Sequence, residues 1–348
     1  MASLRRIVSV AQVTPHEAEI VERARRLADE VLLPSALVTD RADLVAVELL
    51  DALADAGLYG LVIPPALGGL GADPGVMWAV MEQLASGCLT TTFVVLQHLA
   101  VTGVIGGGDV RPEVRSAWLP AMARAEVRAG VAFAHLRRPG PPVVTIEPIE
   151  QGWCLSGAAP WVTGWGRVDV VLVGARHADE VVWSLVDAAP ARTLDALPLA
   201  LAAVNASGTV VLRLRDHPVP AERVVRREPV ADWMARDAIS LRSNASLALG
   251  VSRRAVDLHG DTDAGHALGA ELDALRHALD TRPSEELADL RAEATVLALR
   301  TATSLMAATG GRAVVRDHHA QRLAREALFL LVQGQTPAIR VGQLSRLA

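Results

Sequence analysis

The segment LLVQGQTPAIR, residues 330–340, separates two predicted helices near the end of the sequence. An amphipathic helical pattern runs into this segment, and a short basic helix is predicted to follow it. Between the two helices lies a polar turn made of Gln333, Gly334, Gln335, Thr336 and Pro337. A glycine and a proline so close together are typical of a turn with a defined backbone path. The turn carries amides and a hydroxyl where an enzyme that moves protons would use an acid.

The composition predicts a mainly helical protein with two or three subdomains. Of its 348 residues, 51% are apolar and 3% are aromatic, and alanine and leucine dominate; both are good helix formers. The net charge of −5 is spread without long runs of one sign, which argues against nucleic-acid binding. Cys88 and Cys154 are too few for a disulfide framework or a zinc site. The apolar runs are too short for a signal peptide or a membrane span, so a cytoplasmic location is expected.

The residue pattern changes twice along the chain and predicts three domains. Residues 1–128 have helical patterns, and the helix VERARRLADEVLLPS is predicted to stop at Pro34. Residues 129–228 contain five or so segments that predict a compact antiparallel sheet or barrel: GVAFAHL, GWCLSG, VDVVLVGAR, EVVWSLVDA and GTVVLRLRDHPVP. Residues 229–348 return to amphipathic patterns and predict a helical bundle. The predicted fold class is therefore α+β and mainly α.

Five short motifs occur in an order that is typical of one enzyme family. They are YGLVIP with GGLG at 59–71, WLP at 118–120, GWCLSG with WVT at 152–163, GG with RLAREA at 310–327, and QGQTPAIR at 333–340. Together they resemble the acyl-CoA dehydrogenase family over nearly the whole chain. The resemblance implies an N-terminal helical domain, a middle antiparallel β-domain and a C-terminal four-helix bundle. It also implies a homodimer or homotetramer, with FAD lying between domains and subunits.

The resemblance further implies which residues contact FAD. In the family, the tryptophan at the position of Trp161 packs against the isoalloxazine, and the threonine at Thr163 hydrogen-bonds near its reactive nitrogen. A flat ring system needs an aromatic wall and a few placed donors, which these side chains offer. The other expected cofactor-binding residues are Phe133, His135, Gln335 and Thr336. The alternative for Trp161 is that it fills the interface between sheet and helices.

The closing motif departs from the family at the catalytic base. Family members have a glutamate before the loop glycine, and it removes the α-proton of an acyl thioester while the β-hydrogen leaves to the flavin. Alignment on Gly334 places Gln333 at that position, and an amide has the shape of a carboxylate but does not accept the proton. Some relatives carry the base on the first C-terminal helix, where this chain has SLRS at 240–243. The nearest acids, Asp237 and Glu326, are predicted to be surface or capping charges.

The FAD-binding motifs are also incomplete. In AFAHLRRPG, residues 132–140, Leu136 replaces the threonine that would bind the flavin, although backbone groups of the strand could still reach it. Arg137 and Arg138 are predicted either to meet an acidic ligand, such as a pyrophosphate, or to be solvated. HGDTDAGH, residues 259–266, lacks the arginine that reaches the pyrophosphate, and Ala307 replaces a glutamine. The charged half of FAD would therefore be held weakly.

Two histidine-containing clusters, residues 259–266 and 317–319, include metal-capable side chains. Neither has the helical His-x-x-x-His spacing or the cysteine partner expected of a zinc site, so no metal is predicted.

Three functional hypotheses follow. The first is an FAD-dependent oxidoreductase that dehydrogenates an acyl-CoA or carrier-bound acyl thioester, with its base supplied from an unusual position or by a partner. The second is a non-catalytic subunit that forms a heterotetramer with a complete dehydrogenase subunit. The third is a related flavin monooxygenase, which needs no base for an α-proton.

Overall fold

A computed structural model describes residues 14–348 of the chain and begins with a group of packed helices. These are α1 (Pro15–Leu27), α2 (Leu33–Thr39), α3 (Val47–Asp55), α4 (Pro74–Gly87), α5 (Leu89–Ile105) and α6 (Pro112–Ala123). Thr14 and Glu17 start α1 with a reciprocal capping box, which satisfies amides that have no partner inside the helix. The apolar helix α5 is buried along most of its length, because its sequence has no polar face to leave in water.

The first helical segment does not stop at Pro34, so that prediction is wrong. A π-helical turn, Ala28–Leu32, joins α1 directly to α2, and Pro34 lies in the first turn of α2. A proline there removes no regular hydrogen bond, because the π turn has already interrupted the α-helical ladder.

Within the described residues, eight strands form one sheet in the middle of the chain. They are β1 (Ala129–Ala132), β2 (Val144–Ile149), β3 (Gly152–Val162), β4 (Val170–His177), β5 (Glu180–Asp187), β6 (Leu194–Pro198), β7 (Val210–Val219) and β8 (Val224–Pro229). The order is β6-β7-β3-β2-β4-β5-β8, mostly antiparallel, with β1 and β2 each pairing with β4 in parallel. The sheet is larger than the five or so strands predicted, because segments such as β6 and β8 gain their strand conformation from pairing rather than from a strong local pattern.

The remaining helices form a bundle that packs against the N-terminal helices. They are α7 (Val230–Ile239), α8 (Leu241–His259), α9 (Asp263–Thr281), α10 (Leu287–Thr309), α11 (His319–Val332) and α12 (Pro337–Leu347). At Gly250 a Cβ atom would lie 2.4 Å from the carbonyl oxygen of Glu82, so α8 and α4 approach closely only because this residue is glycine. One continuous apolar core joins the two helical regions. The expected fold class is confirmed.

Across residues 14–348, no helix combines the length and apolarity that crossing a bilayer requires.

Candidate functional site

The polar turn between α11 and α12 has a defined conformation. Helix α11 ends at Val332, and Gly334 follows with φ of +60°, a left-handed backbone that favours glycine. Thr336 then caps α12, since its hydroxyl accepts a hydrogen bond from the amide of Ile339. The sequence signals for a turn at this point therefore have a direct structural cause.

Gln333 is held by two polar side chains from other helices. Its Oε1 accepts a hydrogen bond from Nη2 of Arg291 at 3.1 Å, and its Nε2 donates to Oδ1 of Asn244 at 3.1 Å. Arg291 also lies 3.4 Å from the backbone oxygen of Gln333, at the end of α11 where carbonyl groups need donors. The amide is thus fixed in orientation, with its oxygen directed toward a cation.

Arg291 is a buried charge that has no carboxylate partner in the described part of the chain. Its side chain is 1% exposed, and burial lowers its pKa to about 10. Its Nη1 atom has no hydrogen-bond partner among residues 14–348. Since a buried ion without a counter-ion is costly, the interior beside the turn carries an excess of positive charge.

A second arginine reaches the same turn from the β-domain. Arg137 forms a two-pronged ion pair with Asp237, with Nε–Oδ2 and Nη2–Oδ1 distances of 2.7 and 2.6 Å. The guanidinium lies 4.9 Å from the centroid of the Phe133 ring. Its third nitrogen, Nη1, approaches Gly334, where a Cβ atom would be 3.7 Å away.

The structure also shows the environments of the two adjacent arginines, Arg137 and Arg138, and of the two acids, Asp237 and Glu326. Arg137 is largely buried in its ion pair, whereas its neighbour Arg138 is exposed. Asp237 is 13% exposed and holds Arg137 in place, and Glu326 is 2% exposed and pairs with Arg322 at 2.7 Å. Burial raises the pKa of Glu326, and Arg322 opposes that effect. The prediction that both acids are surface or capping charges is wrong, because each compensates a buried arginine from another turn or domain.

Trp161 and Thr163 lie two residues apart in the chain, but their side chains have different environments. Trp161 has a positive φ of 63°, which is rare for a bulky residue, and its side chain is 52% exposed. Thr163 is 1% exposed, and its hydroxyl shares a 2.9 Å hydrogen bond with that of Thr209. The tryptophan therefore presents an open aromatic surface, while the threonine hydroxyl is directed into the protein.

The remaining expected cofactor-binding residues already have partners inside the protein. His135 is buried, and its Nε2 lies 2.7 Å from the carbonyl oxygen of Gly174; burial lowers its pKa to about 4. Gln335 donates to the side chain of Gln343 at 2.7 Å, and Thr336 caps α12. The structure thus brings Gln333 together with Asn244, Arg291 and Arg137, and it gives Gln335 and Thr336 a role in shaping the turn.

Sequence reasoning missed Asn244 and Arg291. Arg291 lies in DLRAEA, whose charges are typical of an exposed helical face, so no local signal marks it as buried. Asn244 interrupts a strongly helical pattern with a poor helix former, and that mismatch was a usable signal. In the described part of the chain, no three His, Cys, Asp or Glu side chains gather as a metal site would require.

Comparison with solved structures defines the class of protein. A glutaryl-CoA dehydrogenase in complex with glutaryl-CoA superposes with a TM-score of 0.84 at 17% identity, over 97% of this chain and 96% of that one. A dibenzothiophene monooxygenase from Paenibacillus sp. A11-2 gives a TM-score of 0.79 at 17% identity, over 94% of this chain and 96% of that one. At such identities the likeness establishes the fold, which is that of the acyl-CoA dehydrogenases.

Sequence comparison adds the family. Residues 14–126 match the family model of the acyl-CoA dehydrogenase N-terminal domain. A 3-sulfinopropanoyl-CoA desulfinase from Paraburkholderia xenovorans is 27% identical over 177 residues, which is 49% of this chain and 44% of that protein. Residues 14–126 therefore resemble the N-terminal domain of the acyl-CoA dehydrogenases in sequence, and the aligned part spans less than half of the length of this relative.

Proposed function

We propose that the chain is an acyl-CoA dehydrogenase-like flavoprotein that binds an acyl thioester, and that residue 333 does not supply its base. The observation that carries the second part is the fixed amide of Gln333, whose oxygen accepts from the buried Arg291. An amide held in this way cannot take up an α-proton at neutral pH. The retained turn, with its left-handed Gly334 and its cap Thr336, supports the acyl-thioester part of the proposal.

FAD is the proposed cofactor, and the residues fit it at one end better than at the other. The half-exposed ring of Trp161, on a strained backbone, fits a flat isoalloxazine that would lie against it. The hydroxyl of Thr163 keeps its proton free for a flavin only if Thr209 is the donor in the hydrogen bond that the two hydroxyls share. When bound, FAD would supply the redox chemistry, and this chain would supply the aromatic wall and the turn.

Dehydrogenation of the α,β-bond by this chain requires a carboxylate from another position. Asp237 is an acid that the structure brings toward the turn, but Arg137 occupies both of its oxygens. The fixed amide at 333 therefore also favours two other candidates. One is a reaction without α-proton abstraction, such as flavin monooxygenation, and the other is a non-catalytic subunit of a heterotetramer.

Assembly into oligomers is part of the proposal. Leu328, Val332, Val341 and Leu344 on α11 and α12 each leave more than half of the side chain exposed. Large apolar side chains exposed in this number are typical of elements that take part in protein–protein interfaces. We propose a homodimer or homotetramer, or a heterotetramer with another dehydrogenase subunit, and light scattering on the purified full chain measures which forms.

The visible spectrum of the purified full-length chain tests the cofactor. A flavin band that becomes stoichiometric when FAD is added is the expected result, because the charged half of the cofactor is held weakly. A colourless protein that gains flavin and activity only with a co-expressed dehydrogenase subunit would contradict an enzyme that acts alone and would favour the non-catalytic subunit.

Substitution of Gln333 tests the position of the base. In the flavin-loaded protein, Gln333→Glu is expected to create or strongly raise oxidation of an acyl-CoA, because it adds a carboxylate at the turn. Gln321→Glu, on the same helix, is the matched control and should leave the activity unchanged. No gain from Gln333→Glu, despite bound flavin and bound acyl-CoA, would contradict the assignment of residue 333 to the base position.

A further inference from the structure

The turn at Gly334 is bordered by nitrogen donors that have hydrogens to spare. A Cβ atom on Gly334 would lie 3.6 Å from Nδ2 of Asn244 and 3.7 Å from Nη1 of Arg137. Both nitrogens thus lie beside the backbone of the turn, on the side where glycine has no side chain. They also lie next to Gln333, the residue that the family alignment places at the base position.

The hydrogen bonds within the described residues leave these donors free. Asp237 accepts from Nε and Nη2 of Arg137, which leaves Nη1 directed toward the turn. The Oδ1 atom of Asn244 accepts from Gln333, so its amide nitrogen remains as a donor. Arg291, on the other side of Gln333, has a buried Nη1 without a partner among residues 14–348.

The charges beside the turn do not balance. Arg137 and Arg291 bring two positive charges, and Asp237 brings one negative charge. A glutamate at position 333 would restore neutrality, but the chain has a glutamine there. All three charged side chains are mostly or fully buried, so the excess charge is poorly screened by water.

Capping of α11 explains only part of this arrangement. The contact of Arg291 with the backbone oxygen of Gln333 accounts for one nitrogen of that guanidinium. It does not account for Nη1 of Arg137 or Nδ2 of Asn244, which converge on the turn from a β-domain loop and from α8. Their common feature is that each can donate to an oxygen atom.

We infer that the acyl group bound at this turn carries an oxyanion, such as a second carboxylate, which Arg137 and Asn244 bind. This inference rests on the proposed acyl-thioester function and specifies its substrate class. Two donors and a net positive charge match an oxyanion, whereas a plain alkyl chain would leave the donors desolvated and without partners. Asp237 then positions Arg137, and its own charge limits how tightly an anionic group binds.

Calorimetric titration of the full-length chain with succinyl-CoA and butyryl-CoA tests the inference, because these acyl groups have equal carbon counts and differ in the terminal carboxylate. We expect succinyl-CoA to bind at least about tenfold more tightly, as one charge-assisted hydrogen bond would give. Arg137→Gln should abolish that preference, and Arg138→Gln, at the exposed neighbouring arginine, should keep it.

Asp237→Asn separates ligand binding from a merely structural ion pair. The amide oxygen still accepts from Nε of Arg137, while the competing negative charge is gone, so succinyl-CoA should bind more tightly and butyryl-CoA should be unaffected. Equal affinities of the unmodified chain for the two ligands would overturn the inference and leave the proposed function intact. If neither succinyl-CoA nor butyryl-CoA binds, the inference and the proposed function are both overturned. If Arg137→Gln and Asp237→Asn each weaken the binding of the two ligands equally, the ion pair serves packing alone and the inference is overturned.

Discussion

Two buried arginines on helices of the C-terminal bundle meet different partners. Arg322 on α11 is 1% exposed and pairs with the carboxylate of Glu326 at 2.7 Å. Arg291 on α10 is also 1% exposed, but its hydrogen-bond acceptors among residues 14–348 are only the amide and carbonyl oxygens of Gln333. Equal burial thus coexists with a compensated charge at one position and an uncompensated charge at the other. The difference shows that the fold tolerates a net positive interior beside the turn that contains Gln333.

Removal of the carboxylate at the compensated position is expected to have the largest effect. Glu326→Gln makes the Arg322 pair resemble the Arg291 pair and leaves a buried guanidinium without a counter-ion. We expect a loss of unfolding free energy on the order of 3 kcal/mol, measured by urea denaturation. Glu113→Gln, at an exposed acid on α6, is the control and should change stability very little. A small loss for Glu326→Gln would mean that burial of a bare arginine is cheap throughout this bundle.

Addition of a carboxylate at the uncompensated position is the reverse experiment. Gln333→Glu gives Arg291 a charged acceptor in place of an amide, and we expect a gain of about 1.5–3 kcal/mol in unfolding free energy at neutral pH. The gain should vanish in the double variant with Arg291→Met, since the partner is then absent. A loss of stability in the single variant would indicate that Asn244 and the turn require the amide more than Arg291 requires a counter-charge.

The two positions also differ in their dependence on pH. His319 accepts from Nε of Arg322 at 3.3 Å, and its partial burial, with Arg322 nearby, lowers its pKa to about 4. An unfolded histidine has a pKa of about 6.5, so the stability due to neutral His319 is present above that value and is lost as the pH falls toward 4. Because His319 is half exposed, we expect a loss on the order of 1 kcal/mol between pH 7 and pH 5.

Thermal melts across that pH range measure the effect. His319→Asn should flatten the curve, whereas Gln333→Glu should not, since its partner Arg291 does not titrate there. An unchanged pH profile in His319→Asn would assign the acid sensitivity to other buried histidines, such as His98, whose pKa burial also lowers to about 4.

Removal of the uncompensated arginine should have the smallest effect. Arg291→Met loses the hydrogen bonds to Gln333 but also removes a desolvated charge, and an apolar side chain of similar length fills the space. We expect a change in unfolding free energy of less than about 1 kcal/mol. Arg322→Met is the matched comparison and should cost several times more, because it leaves Glu326 buried alone. Equal costs for the two variants would contradict the distinction between the two arginines.

Much of the fold was predictable, because it rests on patterns that repeat within a few residues. The order of helices, strands and helices followed from apolar periodicity and from β-branched segments, and the turn at Gly334 followed from its glycine and proline. The π turn before Pro34 and the strands β6 and β8 were not predictable, because pairing and packing with distant segments stabilise them.

The sequence by itself predicted the acyl-CoA dehydrogenase fold, and it placed an amide, Gln333, in the turn before the last helix. Only the tertiary structure decided what surrounds that amide. Arg291 meets Gln333 across 42 residues of sequence, and Arg137 meets Asp237 across 100. No local pattern records such pairings, because the sign of a charge is read from one residue, whereas its compensation depends on which distant helix the fold places beside it.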